Sequence, residues 1–315
     1  MPKGSAKYRI ALCKTKPTDR GELLIQSFMR GIEKNNDSYL IVDGYNQRHI
    51  EMLKRCDVLF QICDYNSKVG GGNKENNFRK WCRDNTKLTH SNRRLILDVG
   101  FFKNHSDTPD IKLEDAMWSI GYDGIKAEAN FYNENSPPDR WNSFGIELKS
   151  WRIDGDYILV LGQNETGIST QHINYEQWMN ETIVTLKTLT DRPIKLMAHR
   201  HQTKFPQDKS VEVIKGRSIY ENCDKAWAVV ARTTNGAAGA IISGIPVFTE
   251  DRNCIAYPVS NHCLEDINNP KTFDRAAWCN DIGYSQWSIR EIKRGECWSH
   301  LRKHLYEEDK KEIVT

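Results

Sequence analysis

Short apolar runs alternate with amphipathic ones along the first hundred residues. Tyr8–Cys13 (YRIALC) predicts a strand. Asp19 can cap a helix to about Lys34, with Leu23, Leu24, Phe28 and Ile32 at helical spacing. Tyr39–Val42 and Val58–Ile62 are further strands, separated by a helix over Gln47–Arg55. A helix over Asn77–Asp84 leads to a strand at Arg94–Asp98 (RLILD), which ends in an acid. This rhythm predicts a parallel sheet with helices on both faces.

Residues 99–150 break the rhythm. They are rich in Gly, Pro, Asn and aromatics, as a functional or interdomain stretch would be. After a linker at Trp151–Asp156 a second series begins. Strands are expected at Tyr157–Leu161, Ile194–Ala198, Ala226–Ala231 and Pro246–Phe248, with helices at Tyr175–Leu189, Ser218–Cys223 and Asn235–Ser243. Ser288 and Glu291 form a capping-box start for a last helix to about Leu305. No repeat at a solenoid period is present. The fold class is therefore α/β, with two Rossmann-like domains facing a central cleft.

The 315 residues suffice for two such domains. Formal charge is +3, from 45 basic and 42 acidic side chains, which neither identifies nor excludes a nucleic-acid binder. The apolar runs are too short to span a bilayer. No signal peptide is evident at the N-terminus, and the nine cysteines show no CxxC spacing. A reducing, cytoplasmic location is expected.

Open parallel sheets bind ligands beyond the carboxyl ends of their strands. Three strand ends of the second half carry suitable groups: Gly162-Gln163-Asn164, His199-Arg200-His201 and Arg232-Thr233-Thr234-Asn235-Gly236. The last runs into the small-residue helix AAGAIISG, whose free N–H groups and dipole suit a phosphate. The same pattern also describes a capped helix that merely packs closely, and either histidine can be a satisfied core residue. No third ligand completes a zinc site. GxGxxG is missing after Cys13, which disfavours a dehydrogenase, and GxxxxGK[ST] is missing throughout. Val69–Lys74 has the wrong spacing for a phosphate loop and reads as a flexible one.

The run Ala226–Phe248 resembles the donor-binding domain of GT-B-fold glycosyltransferases, nearest to capsule-polysaccharide-type and phage-encoded members. The likeness lies in the Thr-rich turn, the small-residue helix and Ser243-Gly244-Ile245-Pro246-Val247. The HRH segment is similar to that group's His-containing loop, with Arg200-His201 where Pro often follows. The YILVLGQ strand-turn and the tail from Asp274-Arg275 through Tyr284–Ser288 to Trp298 extend the likeness over about residues 151–300. It touches the first half only at LILDVGFF, WSIGYDGI and PPDRW.

The resemblance implies an acceptor domain at 1–150, a nucleotide-sugar domain at 151–290 and a C-terminal helix at 291–315 packing back on the first. It implies a metal-independent enzyme with no cofactor and a UDP-sugar as co-substrate. Gln163, His199, Arg200, His201, Arg232, Thr233, Thr234, Asn235 and Gly236 are then donor contacts.

Glycosyl transfer needs a base for the acceptor hydroxyl and stabilisation of the leaving phosphate. Asp98, at a strand end, is the first candidate base and Asp123 the second; either can instead cap a turn. Lys74, Arg79, Phe101, Phe102 and Arg140 are expected on the acceptor side, with Arg140 alternatively paired to Asp139. Basic and aromatic residues are interleaved there, among them Lys68, Trp81, Arg83, Arg93 and Arg94. That interleaving suits a nucleic-acid groove, although solvated helix faces with core aromatics show it more commonly. Compact length and the lack of a membrane signal tilt the reading to DNA, and the resemblance to phage members implies a 5-hydroxymethyl pyrimidine in a phage-infected cell. Transfer to capsule or lipopolysaccharide is the alternative, and a non-catalytic nucleotide- or DNA-binding module a third reading.

Overall fold

The computed structural model describes residues 7–14, 18–44, 46–69, 72–86, 93–105, 108, 110–215 and 218–312, with backbone alone at 86 and 306–312. Gly70 and Gly71, in the loop expected to be flexible, lie outside the described residues.

The first sheet has six strands. They are β1 (Arg9–Cys13), β2 (Ser38–Val42), β3 (Val58–Ile62), β4 (Arg93–Val99), β5 (Met117–Tyr122) and, from the far end of the chain, β11 (Gln286–Ser288). Their order is β11-β5-β4-β3-β1-β2. β1 to β4 are parallel; β5 runs antiparallel to β4, and β11, antiparallel to β5, points the same way as β1 to β4. The sheet is thus mixed, not parallel throughout. β5 lay unrecognised in the loop-dense stretch because all its residues are buried, so it shows no alternation.

Helices α1 (Asp19–Lys34), α2 (Gln47–Leu53) and α3 (Lys74–Thr86) connect the parallel strands. Thr18 caps α1 by accepting from Gly21 N–H, so the cap precedes the expected Asp19. Leu24, Phe28 and Ile32 of α1 pack on Ile10, Phe60 and Leu97. Phe28 stacks on Phe60 at 4.0 Å.

The second sheet comprises β6 (Tyr157–Leu161), β7 (Ile194–Met197), β8 (Glu212–Ile214), β9 (Ala226–Val230) and β10 (Val247–Phe248), all parallel, in the order β10-β9-β6-β7-β8. Between these lie α4 (Asp139–Ser143, before β6), α5 (Tyr175–Leu189), α6 (Ile219–Asn222) and α7 (Gly236–Ile242). α7 is buried along almost its whole length, and Gly239 lets α6 approach: a Cβ there would stand 2.5 Å from Ile219.

After α8 (Ala276–Gly283) the chain returns to the first sheet. It pairs through Gln286↔Ser119 and Trp287↔Trp118, then forms α9 (Ile289–Arg294) and α10 (Glu296–Glu312). The return precedes the boundary expected at 290. The Ser288–Glu291 capping box is present, and Gly295, at φ +85°, splits the single expected helix in two.

Phe101 and Phe102, expected on the acceptor side, are core side chains. Phe101, Phe102, Phe131, Trp141 and Phe144 share one continuous core with Leu159, Val229, Ile241 and Trp278 of the second domain. Burying each such ring is worth roughly 1.5–3 kcal/mol, so this core joins the two domains firmly.

Candidate functional site

The carboxyl ends of β6, β7 and β9 bring the three expected loops together. Gln163 and Thr233 are both buried. The Gln163 amide donates to the Thr233 hydroxyl at 2.9 Å and accepts from the Thr233 N–H at 3.0 Å. Both had been read as donor contacts. The pair fixes the two loops in register; the Thr233 hydroxyl, an acceptor here, keeps its own proton to donate, and Thr233 lines the cavity between the domains. Gly162 is required beside them, since a Cβ would come within 2.1 Å of the Gln202 side chain.

His199 is partly buried. Its N–H donates to Gln202 Oε1 at 3.2 Å, and its Nδ1 accepts from the His201 N–H at 3.1 Å. That bond assigns the ring proton to Nε2. Burial, then the neighbouring His201, Arg200 and Lys126, lower its pKa to about 4. His199 is therefore a neutral hydrogen-bond donor at physiological pH. Arg200 and His201 are exposed.

Arg232 pairs with Asp251 at 3.0 Å, and its Nε is buried without a partner. It borders two cavities. One, of about 30 Å³, lies among Trp178, Phe248 and His262. The other, of about 100 Å³, lies between the domains and is lined by Ile125, Lys126, Gln171, His172, Arg232 and Thr233. Thr234, Asn235 and Gly236 are partly exposed. The Asn235 amide donates to the Gly100 carbonyl at 3.1 Å, which ties the loop to the end of β4.

Asp98, the penultimate residue of β4, is partly exposed. Its carboxyl pKa is raised by burial, and the Val99 N–H, Lys126 and Arg79 pull it partly back. A carboxyl raised in this way keeps more basicity than an open carboxylate, as a general base requires.

Asp123 has a different place. β5 is antiparallel, so the residue after it lies at the start of β4, away from the carboxyl ends. Its carboxylate accepts from the Arg94 N–H at 2.8 Å and faces Arg93 at 3.7 Å. It closes a turn and does not reach the cleft.

The residues expected on the acceptor side are also engaged structurally. Phe101 and Phe102 are core side chains, and both of their N–H groups donate to Gln286 Oε1. Arg140 pairs with Glu291 at 2.7 Å, donates to the Gly283 and Gln286 carbonyls, and lies 3.8 Å over Trp287; Asp139 is not its partner. Arg79 donates to the Ile62 carbonyl at 3.0 Å. Arg94 pairs with Asp64, and Arg83 lies over Tyr65. Lys74 is exposed at the start of α3. Phe101, Phe102, Arg79, Arg83, Arg94 and Arg140 are thus engaged in contacts within the protein.

Two lysines that were not singled out as site residues cross between the domains. Lys68 donates to the carbonyls of Glu165, Thr170 and Ile173, next to bonds from Asn66 to Thr166 and from Ser67 to Gln171. Lys126 donates to the Thr233 carbonyl. Nothing local marks Lys126 in the sequence; only tertiary folding half-buries it and brings Asp98 near enough to act on its charge.

Among the described residues no group of three or more His, Cys, Asp or Glu side chains could hold a metal ion, and no helix is long and apolar enough to cross a membrane.

Neither a protein-family model nor a curated protein matches this chain. Two solved structures share its architecture. The β-Kdo 2,7-transferase of Thermosulfurimonas dismutans KpsC aligns over 92% of this chain and 99% of its own, at 13% identity and a TM-score of 0.54. The β-Kdo 2,4-transferase of KpsC from the same organism aligns over 92% and 99%, at 10% identity and a TM-score of 0.50. The fold is the GT-B type, two Rossmann-like domains about a cleft.

Proposed function

We propose that this protein is a glycosyltransferase that moves a sugar from a nucleotide-sugar to a hydroxyl of a glycan, of the capsule or lipopolysaccharide kind. One observation carries the reading: Lys126 lies near the Asp98 carboxylate of the first domain and donates to Thr233 in the loop before α7. Lys126 thereby connects the candidate base to the candidate phosphate loop, and with Arg232 and Thr233 of that loop it lines the cavity between the domains. The shared architecture with two Kdo transferases supports the same reaction class.

Asp98 takes the proton of the acceptor hydroxyl. The acceptor oxygen bonds to the anomeric carbon, while the bond from that carbon to the phosphate oxygen breaks and the phosphate leaves with the electron pair. Arg232, neutral His199 and the N–H groups of Thr234 and Asn235, which have no protein acceptor among the described residues, stabilise that phosphate. A glycan acceptor is preferred over hydroxymethylated DNA because the residues that argued for a DNA groove are buried or engaged in the protein.

The test is incubation with labelled nucleotide-sugars, UDP-linked donors first, against glycan oligosaccharides, hydroxymethylated DNA and unmodified DNA. Label on a glycan is expected, and Asp98→Asn should reduce it about a hundred- to ten-thousand-fold with donor binding retained. Label on hydroxymethylated DNA alone would overturn the acceptor. Transfer undiminished in Asp98→Asn would remove Asp98 from the mechanism.

A further inference from the structure

Lys126 sits in a turn that the chain forms at some cost. Asp123 and Lys126 both adopt left-handed backbone angles, at φ +64° and +54°, which non-glycine residues adopt rarely. The turn delivers the ammonium out of the first domain and onto the Thr233 carbonyl of the second. An ammonium has three donors. One is used here, and among the described residues no carboxylate lies within ion-pair distance of it. The charged and titratable groups around it come from every wall: Asp98 of β4, Glu128 of its own turn, Asp251 and Cys254 of the second domain, His199 after β7, and Arg232 beside it in the cavity. Burial lowers its pKa, with Asp98 as the largest opposing influence. A half-buried cation whose one hydrogen bond goes to a neutral carbonyl, with its nearest carboxylates beyond ion-pair distance, gains when an anion joins it.

We propose that Lys126 is an anion receptor: it leaves the Thr233 carbonyl for a phosphate oxygen of the nucleotide donor and so fastens the first domain onto a ligand held by the second. The proposal rests on the glycosyltransferase reading for the identity of the anion's carrier. The donor groups come from both domains: the Lys126 ammonium from one, and Arg232 with the N–H groups of Thr234 and Asn235 from the other. A phosphate presents oxygens at several corners of a tetrahedron and meets both walls at once. A planar carboxylate presents two oxygens to one side. Lys126 is accordingly a binding residue for the leaving group, and its charge offsets the negative charge that develops there as the sugar departs.

The experiment is calorimetric titration of UDP, uridine, inorganic pyrophosphate and glucuronate into the wild-type chain and into Lys126→Met, Lys126→Gln and Lys126→Arg, with thermal melts to establish folding. UDP and pyrophosphate should bind the Met and Gln variants about ten- to a hundred-fold more weakly, the scale of one charge-assisted hydrogen bond, while Lys126→Arg keeps part of the affinity. Uridine binding should be unchanged by all three. On the alkaline side of neutrality the wild type should take up more protons on binding pyrophosphate than Lys126→Met does, because an anion offsets the lowering of the ammonium's pKa. Equal UDP and pyrophosphate affinity in folded wild type and Lys126→Met overturns the proposal. So does an equal loss for uridine, or a loss confined to glucuronate. Pyrophosphate binding that depends on Lys126 without any binding of nucleotides sustains the receptor and counts against the nucleotide-sugar reading. No binding of pyrophosphate to the wild type overturns the receptor itself.

Discussion

Gln163 and Thr233 form a reciprocal pair between the loops after β6 and β9: the amide gives a hydrogen bond to the hydroxyl and accepts one from the N–H of the same threonine. Two buried side chains thereby set the spacing of the loops that face the first domain. Gln163→Leu keeps the volume but leaves the Thr233 N–H buried and unpaired. A loss of roughly 1–3 kcal/mol in chemical denaturation is expected, with weaker donor binding because the 232–236 loop is no longer held. Unchanged stability would mean that water replaces the amide there.

Asp98 is held against its own ionisation. For a carboxyl whose folded pKa is raised, both states are protonated below the ordinary carboxylate range and the site costs nothing. As pH rises the unfolded chain ionises first, and stability falls until pH passes the folded value. Asp98→Asn should therefore be more stable than wild type at neutral pH, and the difference should close below about pH 4. Denaturation midpoints for the two chains across that range measure it. A variant less stable than wild type at pH 7 would show that Asp98 is a structural partner rather than a strained site residue.

His199 and His300 both titrate well below an ordinary imidazole. Each is lowered from 6.5 to about 4, chiefly by burial. His300 also contacts the Phe131 carbonyl at 3.2 Å through Nε2. A depressed histidine contributes stability that is present in full above its unfolded pKa and is lost as pH falls towards the folded one. The wild type should lose stability between about pH 6.5 and 4 on this account. His199→Gln and His300→Gln should each remove a share of that slope, read from melting temperature against pH, and the double variant should remove both. Slopes identical to wild type would show that neither histidine is shielded.

Asp37 anchors the C-terminal helix. Its fully buried carboxylate accepts from Trp298 Nε1 at 2.7 Å, from Arg302 Nε at 2.7 Å and from the Tyr8 N–H at 2.9 Å. Asp37→Ala leaves the Arg302 cation and the Trp298 N–H without their acceptor. A cost of roughly 3–5 kcal/mol is expected, as for other broken buried pairs. Urea denaturation measures it, and hydrogen exchange should show α10 losing protection first. A small loss with α10 still protected would assign its docking to Trp298 and Leu301 packing alone.

The sequence was sufficient for elements whose signal is local. Strands such as YRIALC and YILVL, the amphipathic α1 and the Ser288–Glu291 capping box declare themselves through side-chain period or a neighbour three residues away. Asp98 at a strand end and the small-residue α7 were legible for the same reason. Pairing between distant segments left no such trace. β11 reaches β5 across some 165 intervening residues, and three residues carry no period of their own. Phe101 and Phe102 look alike in sequence whether they stack on a ligand or fill a core; the second sheet behind them decided for the core. Gln163 and Thr233 were correctly placed at loop ends, but only their mutual distance showed that they bind each other. Lys126 is one lysine among many until folding removes its water and sets a carbonyl, a carboxylate and a cavity around it. Periodicity and capping act within a few residues and are written in the chain. Desolvation and long-range hydrogen bonding depend on what other segments bring near, and that exists only once the two domains have closed on each other.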